Sequence, residues 1–235
     1  MTYDTSLRGV IVMDSSLFSQ AITRILAGLL LVCLLLFIPA GTIAYWQAWL
    51  LIGILFFPMF IVGLILMKRN PDLLRKRLNA KEEQTEQKIV ILLSGLMFLA
   101  AFIAAGLCFR FGRFMLSGRV SCAAAVVFLV AYLLYAEVLR ENVYLSRTVE
   151  VQEDQKVIDT GLYGIVRHPM YMSTLLLFLA MPLVLGSVIS FCIMLLYIPI
   201  IAVRIRNEEQ VLEEGLEGYI EYKKRVRYKV IPFVW

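Results

Sequence analysis

ILAGLLLVCLLLFIPAGTIAYWQAWLLIGILFFPMFIVGLILM, residues Ile25–Met67, runs for 43 positions without one charged side chain. A helix that crosses a bilayer needs about 20 apolar residues, so the block holds two spans, and Pro39–Ala40–Gly41–Thr42 supplies the turn between them. The spans are expected near 22–38 and 45–67. Three further uncharged stretches follow, Ile89–Phe109, Val120–Ala136 and Met170–Val203, so that nearly half of the 235 residues lie in four apolar blocks. The second and third blocks give one span each, at 89–109 and 120–139. The fourth is too long for one span and barely long enough for two, because Pro182 to Gly186 must form a break. A tight hairpin of two short helices at 170–203 fits it best, leaning on its neighbours so that the bilayer need not thin. The fold expected is an all-α polytopic bundle of four spans plus this hairpin, five to six membrane helices in all.

Composition agrees with a membrane class. The chain is 60% hydrophobic and 17% charged, with a mean hydropathy of +0.79, against roughly 45–50% and 25% in soluble domains. Those values exclude a disordered chain and a secreted disulfide scaffold. A nucleic-acid binder is excluded too, because the net charge of +5 is spread over membrane-flanking loops.

Lys and Arg in the short loops give the orientation. With the amino terminus in the cytoplasm, the cytoplasmic segments hold Arg8 and Arg24, the basic loop 68–88, the loop 140–168 and the tail 204–235, leaving only Arg110, Arg113 and Arg119 outside. Both termini are therefore expected to be cytoplasmic. The first 24 residues do not read as a cleavable signal, since Asp4 and Asp14 interrupt a basic start and the apolar block runs on into a second span. Cys33, Cys108, Cys122 and Cys192 all fall in spans, where they read as small apolar packing residues. With one histidine and scattered cysteines, no metal ligand set is expected.

The chain then divides into 1–139, the amino-terminal spans with an interfacial loop at 68–88, and 140–235, which carries the hairpin and the tail. The loop reads as an amphipathic helix starting after Pro71, with Leu73, Leu74 and Leu78 toward lipid and its basic residues toward phosphates.

Residues Thr160 to Tyr171 are different in kind: a glycine turn, Tyr163 and Tyr171, Arg167 and the only histidine, His168, stand immediately before an apolar helix that Pro169 can begin. The N–H groups at that helix start suit an anionic or lone-pair ligand group. At the other end of the hairpin, Arg204 and Glu208 are four residues apart and share a helix face with Leu212, so opposite charges arrive together at the membrane boundary. Ionisable groups at membrane depth are functional candidates by default, Glu137 among them. The tail alternates aromatic and basic residues from Gly218 to Lys229 and ends in Ile231–Pro232–Phe233–Val234–Trp235, which suits a lid lying on the membrane.

The pattern G-x-Y-x-x-V-R-H-P-x-Y at 161–171, R-x-x-x-E-E-x-x-L at 204–212 and G-Y-x-x-Y-x-x-R-V at 218–226 resembles the isoprenylcysteine carboxyl methyltransferase family, integral-membrane enzymes related to the phospholipid N-methyltransferases. The resemblance covers roughly 140–235 and implies S-adenosyl-L-methionine bound in a cytoplasmic pocket. It also implies a lipid-like or prenylated small acceptor arriving from the bilayer. By motif position, Gln155, Lys156, Val157, Ile158, Tyr163, His168, Pro169, Met170, Tyr171 and Glu208 would bind the cofactor. Arg204, with Arg167, would face the acceptor. A carboxylate acceptor requires no base; an amine, thiol or hydroxyl must lose a proton, for which His168 or Glu209 would serve. A sterol-reductase-like enzyme using NADPH is the alternative, because its carboxy-terminal layout is similar, and Lys223, Lys224 and Arg225 would be its phosphate partners.

Overall fold

The computed structural model describes residues 15–79, 85–145 and 151–235. The acidic residues Asp4 and Asp14, Arg8 and parts of the loops 68–88 and 140–168 lie outside the described residues. Helices α1 (Ser15–Ala40), α2 (Trp46–Arg69), α4 (Thr85–Phe111) and α5 (Gly118–Glu141) fall on the four expected spans, with α3 (Pro71–Asn79) between the second and third. Among the described residues five helices are long and apolar enough to cross a membrane, and no strand is present. The protein is an integral, multi-pass helical bundle.

Each turn has a local cause. Gly41 closes α1 in the left-handed region, φ 68°, and its N–H bonds the carbonyl of Phe37 at 2.9 Å, a glycine helix stop that few other residues accept. Pro71 opens α3 at the position where a missing N–H costs nothing. Leu73 and Leu74 do not face lipid as the pattern suggested: both are buried, Leu74 with Leu17 and Met67 and the half-buried Leu78 against them. The helix is short and lies against α1 and α2, so its apolar side found protein first. Arg24 of α1 also donates to the carbonyl of Leu78.

The carboxy-terminal hairpin is unequal. Helix α6 (Pro169–Val184) has 16 residues, about 24 Å at 1.5 Å per residue, short of a 30 Å hydrocarbon layer. The return arm is longer than expected: α7 (Val188–Met194) and α8 (Tyr197–Gly215) form one helical run of 28 residues, uncharged as far as Val203. Pro199 divides it, because its ring clashes with the carbonyl four residues earlier and no N–H is available there. The hairpin tip at Gly186, φ 71°, is held from both sides. Leu116 N–H donates to Gly186 O at 2.7 Å, Val188 N–H to Phe114 O at 3.1 Å, and the Tyr45 hydroxyl to Leu185 O at 2.6 Å.

The main core joins α1, α2, α4, α5 and α6 around Leu36, Leu51, Ala105, Phe128 and Val184. A second cluster joins α4, α6 and α8 with the tail through Met97, Tyr171, Ile201, Ile205 and Val230. Together they fix the start of α6 beside the end of α8.

Candidate functional site

Where the end of α5, the start of α6 and the end of α8 meet, a cleft opens with about 850 Å³ of empty space, part of it continuous with solvent. It is lined by Gln155, Lys156, Val157, Ile158, Tyr163, Arg167, His168, Met170, Tyr171, Arg204 and Glu208, eleven of the residues singled out from sequence. Pro169 and Glu209 are not in its lining.

The wall from 155–164 is tied to the end of α5. Glu141 accepts the Thr160 hydroxyl at 2.9 Å and the Leu162 N–H at 3.3 Å, satisfying the start of the short 3₁₀ turn Gly161–Gly164. Gly161 sits at φ 50° with the Glu141 carboxylate where a Cβ would be, so a side chain there would be strained and would push Glu141 from its hydrogen bonds. Tyr163 is fixed at both ends of its residue: Asn142 Nδ2 donates to its hydroxyl and the Tyr222 hydroxyl donates to its carbonyl, each at 2.8 Å.

Buried ionisable groups run from the cleft into the protein behind it. Arg204 Nε donates to the Tyr171 hydroxyl at 3.0 Å, and that hydroxyl donates to Glu208. The Glu208 side chain is 26% exposed, and its Oε1 stands 3.7 Å from His168 Nδ1. His168 Nε2 is 3.3 Å from Oε1 of Glu209. An imidazole whose two nitrogens both face carboxylates can satisfy them only as the doubly protonated cation. Burial alone would push the His168 pKa down, but Glu208 and Glu209 outweigh it and leave it raised.

The two groups considered as bases are placed differently. His168 lines the cleft with Nε2 within hydrogen-bond reach of Glu209 and Nδ1 facing Glu208. Glu209 is 4% exposed behind the cleft, engaged by Arg167 Nη2 at 2.8 Å and Lys229 Nζ at 2.7 Å, so it is an ionic tie without access to a ligand. Arg167 is likewise committed: Nε to Glu209, and Nη1 to the carbonyls of Val226 and Arg227, all at 2.8 Å. The backbone N–H groups of Arg167 and His168 are also taken, by Tyr228 O at 2.9 Å and Lys229 O at 2.8 Å. The helix start is therefore closed by the tail at these two donors. Glu137 lies away from the cleft in an exposed pair with Arg140, 2.5 Å apart.

Reasoning from sequence missed Asn142, Tyr144, Leu145, Val211, Leu212, Leu216, Tyr219 and Tyr222 as lining residues. Val211 and Leu212 stand three and four positions after Glu208, which places them on its face of α8. Tyr219 and Tyr222 are three apart at the start of α9 (Tyr219–Arg225), so their shared face was readable too. Asn142 carried no local signal. Burial raises the pKa of both tyrosines, and the charges nearby keep them protonated.

Residues 122–214 match the isoprenylcysteine carboxyl methyltransferase (ICMT) family, and this region carries the domain of that family. The chain is also similar to the Delta(14)-sterol reductase of Mus musculus, 31% identical over 91 residues. That match takes in 37% of this chain and 22% of the reductase.

Proposed function

We propose, from the premise that residues 122–214 belong to the ICMT family, that this is an S-adenosyl-L-methionine-dependent methyltransferase acting on an amphiphilic acceptor that enters from the bilayer. The chain divides at about 140 into membrane spans and a catalytic region, with the cleft and both termini on the cytoplasmic side. The observation that carries the reading is Glu208, a partly exposed carboxylate in an aromatic cleft, held between Tyr171 and His168.

The residues suit the cofactor. A carboxylate accepts from ammonium or ribose hydroxyl groups, and tyrosine faces attract a sulfonium cation. Tyr219 lines the cleft at 3% exposure, and its buried hydroxyl has no hydrogen-bond partner among the described residues. Buried polar groups without partners are rare, and a polar ligand edge would satisfy this one. When bound, the cofactor supplies an electrophilic methyl group. Glu208 and Tyr219 would hold it, while Val157, Met170 and Leu216 keep the surroundings apolar. Arg204 would orient the acceptor. His168 has a carboxylate facing each ring nitrogen and Glu209 lies behind the cleft, so neither group first considered as a base presents a free lone pair to an acceptor. That favours an acceptor that arrives ionised, a carboxylate, over an amine or hydroxyl that must lose a proton.

The reductase reading is favoured by the similarity to the sterol reductase. Against it, Lys223 pairs with Glu213 and Arg225 with Asp159, and with Lys224 they stand outside the cleft lining. Thermal shift in detergent with S-adenosylhomocysteine against NADPH separates the two: stabilisation by NADPH alone overturns the methyltransferase reading. Glu208→Ala is expected to weaken S-adenosylhomocysteine binding by about 1–3 kcal/mol, the scale of a charged hydrogen bond. Arg204→Ala should spare that binding and abolish transfer of labelled methyl to membrane extract.

A further inference from the structure

Glu209 is a buried carboxylate outside the cleft, yet two side chains of the cleft lining, Arg167 and His168, reach it. Arg167 and Lys229 approach it from the loop and the tail, and His168 Nε2 stands on the same Oε1 that Arg167 uses. Across the imidazole, Nδ1 faces Glu208. The tail reaches this place by pairing Tyr228 and Lys229 with Arg167 and His168 through two backbone hydrogen bonds. Lys229 Nζ is thereby delivered to a carboxylate that already has a guanidinium. One cation suffices to neutralise Glu209; the second fixes which way its carboxylate is turned.

We propose that Glu209 and Lys229 are a positioning pair for the cleft, holding His168 as an imidazolium turned toward Glu208, so that the tail sets the charge and orientation of the carboxylate that meets the ligand. The inference rests on the proposed methyl-donor site and adds two residues that never touch the ligand. The groups around His168 are few and identified. Glu208 and Glu209 face it from α8, the Tyr171 ring lies 5.7 Å from its ring on α6, and Arg167 and Lys229 stand behind Glu209. Arg204 reaches Glu208 through Tyr171, and Tyr219 of α9 lines the same cleft.

The arrangement gives opposite signs for two substitutions. Glu209→Gln removes an anion from His168 and leaves Arg167 and Lys229 unneutralised, and both effects lower its proton affinity. Lys229→Met removes a cation from the cluster and raises it. The chain has a single histidine, so protein carrying a tag other than polyhistidine and isotope-labelled histidine reports the His168 titration directly by NMR, without any ligand.

The expected result is a midpoint about one pH unit or more lower in Glu209→Gln, higher in Lys229→Met, and restored in Lys229→Arg. The Kd for S-adenosylhomocysteine, measured from pH 6 to 9, should follow: its alkaline loss of affinity starts at lower pH in Glu209→Gln and at higher pH in Lys229→Met, where the lost orientation of Glu209 also weakens binding several-fold until Lys229→Arg recovers it. A purely structural tie would also shift the titration through the change in charge, but it would weaken binding equally at every pH. The proposal is overturned if the His168 midpoint stays in place in both variants, or if it moves and the affinity does not follow. Should Glu209→Gln fail to fold, the exposed-side variant Lys229→Met decides alone, and a lowered or unchanged midpoint there sinks the pair. Wild type that binds NADPH and no S-adenosylhomocysteine defeats the methyl-donor reading, while the titration still decides the positioning pair.

Discussion

Between α1 and α5 most buried contacts are made by small and apolar residues, with Gln47 and Ser121 as polar exceptions: Ala40, Ala48, Ala105, Ala124, Ala125 and Ala131 stand among Leu36, Leu51 and Phe128. Between 142 and 235 the buried contacts include Arg167, His168, Glu209, Tyr219 and Tyr222, joined by hydrogen bonds and ion pairs. Lipid tails are as apolar as leucine, so helices in a bilayer gain little by hiding leucine from lipid and associate through close backbone approach. The short elements outside the spans have no such long faces, and a small cluster around Leu216, Tyr219, Tyr222 and Val226 is their apolar share. The first region is thus held by shape and the second by directed polar contacts. Shape sets stability alone, whereas the polar contacts set stability and the state of the cleft together.

The largest effect should come from breaking the polar region at its centre. Arg167→Ala leaves Glu209 buried with one cation fewer and frees the carbonyls of Val226 and Arg227. A loss of about 3–5 kcal/mol is expected, the usual cost of orphaning one partner of a buried pair. Unfolding in detergent measures it, and ligand affinity should fall with it. Arg167→Met with Glu209→Met should recover part of the stability but not the affinity, which separates the energy of the pair from its effect on the cleft. Next comes the test of shape. A Cβ on Gly106 would lie 2.6 Å from Leu36 O, where α1 and α4 touch backbone to backbone. Gly106→Val should cost about 1–3 kcal/mol by overpacking while the folded fraction binds ligand as before. An altered affinity there would erase the distinction between the regions.

The two regions also differ in how far they could be read in advance. All four long spans were legible because an uncharged run of sufficient length has few alternatives, and Gly41 and Gly186 marked their turns. The unequal hairpin was not, because its length depends on where α8 leaves the membrane, and Arg204 to Glu209 continue the helix with no stop signal. In the site, Glu208 and His168 were legible as types at the ends of one apolar block. The division between Glu208 and Glu209 was not, since adjacent residues on a helix point about 100° apart and only the packing of the tail decides which faces the cleft. Leu73 and Leu74 failed for a similar reason: an amphipathic pattern says that a face is apolar, not whether lipid or protein covers it.

Acidity gives a finer test of the polar region. The His168 pKa is raised in the folded protein, so its ion pairs contribute fully below the unfolded value of about 6.5 and are lost as pH rises through the folded value. Wild type should lose stability over that alkaline interval, and His168→Gln should flatten the slope there. Unfolding midpoints measured from pH 6 to 9 check it.

The smallest effect should come from an ion pair in the same region that burial does not protect. Lys223 and Glu213 join α9 to α8, but their side chains are 38% and 37% exposed. Water screens such a pair and two long side chains must be ordered to make it, so Lys223→Ala should change stability by less than about 1 kcal/mol. The same exposure means that its salt dependence should be measurable, while that of the Arg167–Glu209 pair, cut off from solvent, should be weak. If Lys223→Ala instead matched Arg167→Ala in unfolding experiments, charge alone would account for the cohesion of residues 142–235. The burial of Arg167, His168 and Glu209 would then lose its claim to link the tail to the cleft.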